Sequence, residues 1–151
     1  MSAPEPLLLP PSHPRLPTYA DVLGALANGH AVRVLIRYAM CIMTVQGRRT
    51  TAVPDSAGGL EIKTWEHFAR GAATHRNQKA YLSASDTVLN AHPRHGSVLH
   101  HVRLRIYEDD SVLITTRYLK PDTYEIVMTE SFEGHLSGGD DVHGVSCFLA
   151  D

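Results

Sequence analysis

The last third of the sequence restricts the fold most strongly, because it contains three β-rich runs separated by short turns. The runs cover residues 98–107, 111–119 and 124–132. Between them lie Glu-Asp-Asp at 108–110 and Lys-Pro-Asp-Thr at 120–123, and both segments have the composition of hairpin turns. This region therefore predicts a three-stranded antiparallel meander.

Further strands are predicted on both sides of the meander. Val32, Val34 and Ile36 occupy alternate positions, and this period of two is typical of a strand with one buried face. Other strands are predicted at residues 60–68, 79–89 and 145–149. The apolar run 40–45 precedes a turn, and Gly, Pro and polar clusters predict turns or loops at residues 47–49, 70–77, 90–96 and 134–139.

One short helix is predicted near the N-terminus. Thr18 is a suitable first cap and Asn28-Gly29 a suitable end, and the apolar residues between them fall on one face at helical spacing. We therefore predict an α+β fold that is mostly antiparallel β. The sheet should curl strongly or close into a small β-barrel, since a flat sheet would leave long apolar edges exposed.

The length of 151 residues fits a single domain with one core. Residues 1–17 contain six prolines and are predicted to form a flexible, extended arm. Residues 18–151 are predicted to form the single β domain. The arm also lacks the basic start and the long apolar stretch of a secretory signal, so we expect the protein in the cytoplasm.

Composition argues against two classes of partner. The formal net charge is −2, and the 14 Lys and Arg residues are scattered, so nucleic acid is not an expected partner. No apolar run approaches the roughly 20 residues that a membrane-spanning helix needs. We expect neither a nucleic acid nor a membrane as a partner.

The histidines and cysteines do not predict a metal or another cofactor. His100 and His101 belong to the densest histidine group, but neighbours in a strand point to opposite faces and cannot bind one ion without a bulge. Cys41 and Cys147 lie far apart in apolar surroundings, which favours two buried thiols over a disulfide. No nucleophile or phosphate-loop motif occurs, and the Ser, His and Asp residues at 134–141 are interpreted as a solvated turn.

Two segments resemble a known family. Residues 19–41 read Tyr-Ala-Asp-Val-Leu-Gly-Ala-Leu-Ala-Asn-Gly-His-Ala-Val-Arg-Val-Leu-Ile-Arg-Tyr-Ala-Met-Cys, and residues 102–107 read Val-Arg-Leu-Arg-Ile-Tyr. Together with Thr-Tyr-Glu at 123–125, they resemble the VirK-like family of small bacterial proteins. The resemblance covers residues 18–149, and its motifs imply the fold and the extent of the domain. Relatives of this kind are usually exported, whereas residues 1–17 show no export signal.

The two faces of the run 111–119 suggest a cavity. Val112, Ile114 and Tyr118 lie on one face, and Leu113 and Leu119 lie on the other. A sheet with two apolar faces either packs on both sides or wraps round a cavity. The predicted catalytic residues are Tyr124, Trp65 and His67, and the predicted ligand-binding residues are Tyr118, Met128, Tyr38 and Met43. An ordinary core role is the alternative for Trp65, Tyr118, Tyr124 and Met128.

Two functions follow from these observations. The first is a cytoplasmic protein with a cavity for an apolar small molecule, acting as a cofactor-free cyclase on a polyketide-type intermediate in natural-product biosynthesis. Cycloaddition or isomerisation needs mainly shape and one or two hydrogen-bond donors, so such an enzyme would show no motif. The second is a non-catalytic ligand-binding or assembly module, in which the second apolar face joins copies of a homo-oligomer.

Overall fold

The computed structural model describes residues 13–51, 53–71, 77–139 and 143–150. Most of the predicted arm, residues 1–12, lies outside the described residues. Within them, the helix is α1 (Tyr19–Ala27), followed after the second strand by a 3-10 turn at Tyr38–Met40. The strands are β1 (Arg15–Leu16), β2 (Val32–Arg37), β3 (Ile42–Val45), β4 (Arg48–Thr50), β5 (Ala57–Ile62), β6 (Trp65–Phe68), β7 (Tyr81–His92), β8 (Gly96–Tyr107), β9 (Ser111–Leu119), β10 (Ile126–Leu136) and β11 (Gly144–Leu149).

The strands form one strongly curled sheet with the shape of a half-barrel. Its main path runs β5-β2-β11-β10-β9-β8-β7-β6, so β5 and β6 are the two open ends. The pairs are antiparallel apart from β10 and β11, which are parallel over two residue pairs. Four long strands, β7 to β10, follow each other in sequence and in space. The predicted fold class, a strongly curled and mostly antiparallel sheet with one helix, is confirmed.

Helix α1 packs against one face of the sheet, which we call the inner face. Thr18 caps the helix, because its side-chain oxygen accepts a hydrogen bond from the backbone N–H of Asp21 at 3.2 Å. Val22 and Leu26 are buried on the side that joins the core. The core consists of these two residues and of alternate residues from the strands, including Val34, Ile36, Leu104, Ile114 and Phe132.

The segment predicted as one strand at residues 60–68 is two strands. β5 ends at Ile62 and β6 begins at Trp65, and the two strands lie at opposite ends of the sheet. β5 pairs with β2, whereas β6 pairs with β7. The prediction of a continuous strand was therefore wrong at residues 63–64, because the alternating pattern continues across the change of partner.

Both boundaries of β10 also differ from the predictions. β10 begins at Ile126, because Tyr124 has a φ of 59° and its N–H donates to the carbonyl of Lys120 at 2.8 Å, which continues the turn. The same strand runs on through Gly134, where a break was predicted. A Cβ at Gly134 would lie 3.0 Å from the carbonyl oxygen of His143 and 3.2 Å from Cys41 Sγ. Glycine therefore lets β11 approach without ending the strand.

The C-terminal end of the predicted arm belongs to the sheet. Arg15 and Leu16 pair with Phe148 and Cys147 of β11. The guanidinium of Arg15 lies 4.9 Å from the ring centroid of Phe148 and donates to Ser146 Oγ at 2.8 Å. The ordered domain therefore begins before residue 18.

Both cysteines are buried free thiols, as predicted. Burial raises the pKa of Cys41 to about 11 and that of Cys147 to about 12, because a thiolate would lose its hydration in the core. Neither side chain is therefore a nucleophile at neutral pH. In the described part of the chain, no helix has the length and apolar character to cross a membrane.

Candidate functional site

The inner face of the long strands changes character along their length. Side chains directly opposite each other on paired strands share a face, so the register defines rows across the sheet. One row is apolar and buried: Leu104, Ile114 and Phe132 on β8, β9 and β10. Two residues further along each strand the row contains Val102, Thr116 and Glu130, and the next row contains His100, Tyr118 and Met128.

These last two rows form the floor of a concavity that we call the inner groove, with a volume of about 440 Å³. One side of it is lined by Pro54 and Ser56, from the chain between β4 and β5, and by Gly58 of β5. Tyr38 closes the same side, and its backbone N–H donates to the carbonyl of Ser56 at 3.0 Å. The groove therefore lies where the apolar core gives way to polar and aromatic side chains.

Three rings pack together along the groove. The imidazole of His100 is parallel to the ring of Tyr118, with an interplanar angle of 3° and centroids 4.5 Å apart. His92 meets the same tyrosine ring edge-on, at 5.2 Å. Stacked and edge-on pairs of this kind hold each ring in one orientation. The groove therefore presents flat ring faces in fixed positions.

A second pair of rings lies on the opposite side of the groove. Tyr38 and Phe132 have centroids 4.6 Å apart. Gly58 lies beneath the tyrosine, where a Cβ would come within 3.3 Å of the ring. The missing side chain at Gly58 therefore leaves the space that the Tyr38 ring occupies.

Glu130 is the carboxyl group of the inner groove. Burial raises its pKa above the ordinary value of 4.5, because the carboxylate form loses hydration, and His92 opposes this with a smaller effect. Glu130 lies opposite Thr116 on β9 and Val45 on β3. The surroundings therefore shift the protonation equilibrium of this carboxyl toward the protonated form.

The other titratable groups of the groove are also held in uncharged forms. Burial lowers the pKa of His100 below 6.5, and His101 and His92 add to this effect. Burial raises the pKa values of Tyr118 and Tyr38 above 10, with further contributions from Glu130 in both cases. His100 Nε2 is buried and has no hydrogen-bond partner among the described residues. The groove thus combines an imidazole, two phenols and a carboxyl group, each with a pKa shifted toward the uncharged form.

Three of the predicted ligand-binding residues come together in this groove. Tyr38, Tyr118 and Met128 all line it. Met43, the fourth, lies opposite Phe132 in the sheet and is only 8% exposed, so it belongs to the core beneath the groove. The sequence pattern placed Met128 and Tyr118 on one face correctly, since they are direct cross-strand partners.

The predicted catalytic residues are not in the inner groove and do not lie together. Tyr124 is 68% exposed and sits in the turn before β10. Trp65 lies on edge strand β6, opposite Ala84, and packs against the core. His67 Nε2 forms a hydrogen bond with the hydroxyl of Tyr19 on α1, so it joins the edge strand to the helix. The structure therefore gives no common site for these three residues.

Sequence reasoning missed Glu130, His92 and His100 as members of the site. The histidines were considered only as metal ligands or as exposed imidazoles. The available signal was their position: Glu130 lies between Met128 and Phe132, and His100 between Val98 and Val102, at a spacing of two. A polar residue that interrupts the buried face of a strand is a candidate for a site. Among the described residues there is no group of three or more potential ligands that could hold a metal ion.

Comparison with known proteins identifies the family. The crystal structure of lpg1832, a VirK family protein from Legionella pneumophila, matches this chain with a TM-score of 0.65 and 16% sequence identity. The match covers 89% of this chain and 98% of that chain, and at this identity it shows the fold alone. No curated protein matches the chain. The family model for VirK protein matches residues 15–124, and because this is more than half of the sequence, the chain belongs to the VirK family.

Proposed function

We propose that this protein binds an apolar, partly aromatic small molecule in the inner groove and converts it, without a cofactor, by cyclisation or isomerisation. The observation that carries the proposal is the set of acid and base groups that lie together in one ring-lined concavity. Glu130, His100, Tyr118 and Tyr38 all have pKa values shifted toward the uncharged form by burial. Such shifts cluster at functional sites.

The chemistry of these groups fits proton transfer within one substrate. A neutral imidazole at His100 can accept a proton next to a carbonyl group, and a protonated Glu130 can donate one at another position. Such an exchange leaves the composition of the substrate unchanged, and it needs no oxidant, reductant or metal. Tyr118 and Tyr38 supply hydrogen-bond donors for a developing enolate oxygen. These roles support isomerisation or cyclisation of a polyketide-type intermediate as the reaction class.

The ligand is expected to be flat and uncharged. Its rings or double bonds would lie against His100 and Tyr118, which present parallel faces. Met128 supplies an adaptable apolar contact on the neighbouring strand. A volume of about 440 Å³ lies within the range of roughly 300–1,000 Å³ typical of small-molecule sites.

The test uses the neutral fluorophore Nile red and a series of linear polyene ketones as competitors. Nile red should bind with one site, and Tyr118→Phe should weaken binding about 2–10-fold by removing one hydrogen bond. Tyr124→Phe is the matched control, because it makes the same chemical change at an exposed turn residue. The wild-type protein should convert one of the competitors into a product of the same mass. This conversion should stop in Glu130→Gln and His100→Gln. Equal binding by both tyrosine variants would contradict the proposal.

A second candidate function is supported by an apolar row on the other face of the sheet. Leu89 is opposite Leu99, Leu99 is opposite Leu119, and Leu119 is opposite Ile126. Leu89 is 68% exposed and Ile126 is 51% exposed. A continuous exposed apolar strip of this kind suits contact with a second copy of the chain. Sedimentation velocity tests this: a concentration-dependent dimer that Leu89→Ser with Ile126→Ser disperses would favour the assembly module.

The proposal also keeps the expected cytoplasmic location. Two buried thiols, Cys41 and Cys147, fit a reducing compartment. Fractionation of cells that produce the protein at its natural level, with antibody detection, provides the measurement. Recovery in the periplasm or the medium would contradict the cytoplasmic part of the proposal and leave the groove chemistry to be tested separately.

A further inference from the structure

A second concavity of about 430 Å³ lies near edge strand β6, on the face of the sheet opposite the core. We call it the outer groove. Its floor is formed by β7 and β8, and β6 borders it. Arg103 and Arg105 of β8 line it together with Ser83 and Ser85 of β7. The outer groove shares no lining residue with the inner groove.

In the sheet register, neither guanidinium of this groove lies directly opposite a carboxylate. Arg103 is opposite Ser85, and Arg105 is opposite Ser83. On the other side, β9 offers Thr115 and Leu113 at the same positions. Among the described residues, neither arginine forms an ion pair. Two like charges at alternate positions of one strand therefore repel each other, and no ion pair among the described residues offsets this repulsion.

Arg105 is held in place by an aromatic ring. Its guanidinium carbon lies 4.7 Å from the ring centroid of Tyr81. Its Nε is buried and has no hydrogen-bond partner among the described residues. A fixed, buried donor without an acceptor is costly, and an oxygen of a bound anion would satisfy it. The Arg105 guanidinium is therefore positioned to donate a hydrogen bond to a bound ligand rather than to another residue of the chain.

The rest of the outer groove selects the body of such a ligand. Phe68 and Tyr81 line the groove, and their rings stack with centroids 5.0 Å apart. Glu66 lines it as well, opposite Ser83 in the sheet. A carboxylate beside two arginines admits one compact anion but opposes a long polyanion. The net charge of −2 opposes a polyanion further.

From these observations we propose that the outer groove binds the oxyanion of a small aromatic molecule, a carboxylate or a phosphate ester. Arg103 and Arg105 bind the oxygens, since a guanidinium donates two parallel hydrogen bonds to such groups. The hydroxyls of Ser83 and Ser85 complete the set of donors. The aromatic part lies beside Phe68 and Tyr81. This site is independent of the proposed function, because it uses other residues on another face.

The experiment follows the fluorescence of Trp65, the single tryptophan of the chain, during titration. The probes are benzoate, phenyl phosphate and inorganic phosphate, at constant ionic strength set with sodium chloride. At least one aromatic oxyanion should give saturable binding, stronger than that of inorganic phosphate. The two aromatic probes distinguish a carboxylate site from a phosphate site.

Three variants test the assignment. Arg103→Ala and Arg105→Gln should each weaken binding about tenfold, the loss expected for a charge-assisted hydrogen bond. Arg117→Ala is the matched control, since Arg117 lies on the same face, opposite His101, and does not line the outer groove. Glu66→Gln should strengthen binding by removing a like charge. Circular dichroism identifies any variant that fails to fold. Because Arg103 is exposed, Arg103→Ala is the variant expected to disturb folding least.

Several outcomes would overturn the proposal. These are a fluorescence change reproduced by chloride alone, equal weakening in Arg117→Ala, or binding restricted to a polyanion such as heparin. Nile red binding distinguishes this site from the inner groove of the proposed function, because Arg103→Ala should leave Nile red binding unchanged. Loss of oxyanion binding with intact Nile red binding would therefore count for the outer groove alone.

Discussion

The two grooves use the same strand in opposite ways. β8 directs His100, Val102 and Leu104 to the inner face and Arg103 and Arg105 to the outer face. On the inner face, burial shifts the pKa of His100 toward the neutral form. On the outer face, the two guanidiniums form no ion pair within the described residues. Neighbouring residues of one strand thus lie in different environments. Because side chains alternate between the two faces, the same strand contributes to two distinct recognition surfaces.

The largest expected effect compares adjacent residues on these two faces. Leu104 is 1% exposed, and Leu104→Ala should destabilise the protein by about 2–5 kcal/mol, because it leaves a cavity in the core. Arg103→Ala, one residue earlier on the exposed face, should change the free energy of unfolding by about 0.5 kcal/mol or less. Urea denaturation at equilibrium measures both values. Comparable losses would show that the outer face is also packed, and the distinction between the faces would fail.

The parts of the fold that could be predicted are those formed by contacts between residues close together in the sequence. The turns at 108–110 and 120–123 and the alternation in β8 and β9 are local signals, and they predicted the central meander. The separation of β5 from β6 has no local signal, because each strand finds its partner through β2 or β7, far away in sequence. This explains why Trp65 was predicted to line the same cavity as Tyr118 but lies on edge strand β6.

The candidate site was only partly predictable for a related reason. Tyr118 and Met128 are recognisable because they continue the alternation of an apolar face, and the meander makes them neighbours. Tyr38 comes from a 3-10 turn whose position is fixed by its hydrogen bond to Ser56, which the sequence does not indicate. Glu130 was missed because a carboxyl group in a strand is usually solvated. Only the curvature of the sheet shows that this position is half-buried.

The next prediction concerns the charge of Glu130. Its folded-state pKa is raised above 4.5 by burial, so the folded protein binds the proton more tightly than the unfolded chain does. The contribution of Glu130 to stability is therefore fully present below about pH 4 and is lost as the pH rises through the folded-state pKa. Glu130→Gln keeps the shape and cannot ionise. Its stability relative to the wild type should increase between about pH 4 and pH 7.

Glu133→Gln is the matched control for this measurement. Glu133 lies on the same strand, β10, but is exposed and points to the other face of the sheet. Thermal unfolding of the three proteins across the pH range provides the comparison. A pH-independent difference for Glu130→Gln, or the same trend for Glu133→Gln, would show that the inner groove does not shift the carboxyl. In either case the contrast between the inner groove and the outer face would lose its electrostatic part.

The smallest expected effect comes from His100 and has the opposite pH dependence. Burial lowers its folded-state pKa below 6.5, so between the two pKa values the unfolded chain binds more protons than the folded protein. The contribution of His100 is therefore present above about pH 6.5 and is lost as the pH falls through that window. His100→Gln should make the protein relatively more stable as the pH decreases from about 7 to 5. His135→Gln, at an exposed position of β10, controls for the loss of an imidazole as such.

Because Glu130 favours the folded state at low pH and His100 favours it at higher pH, the double variant should show a flatter stability profile than either single variant. A double variant that follows one single variant throughout would mean that only that residue senses the inner groove.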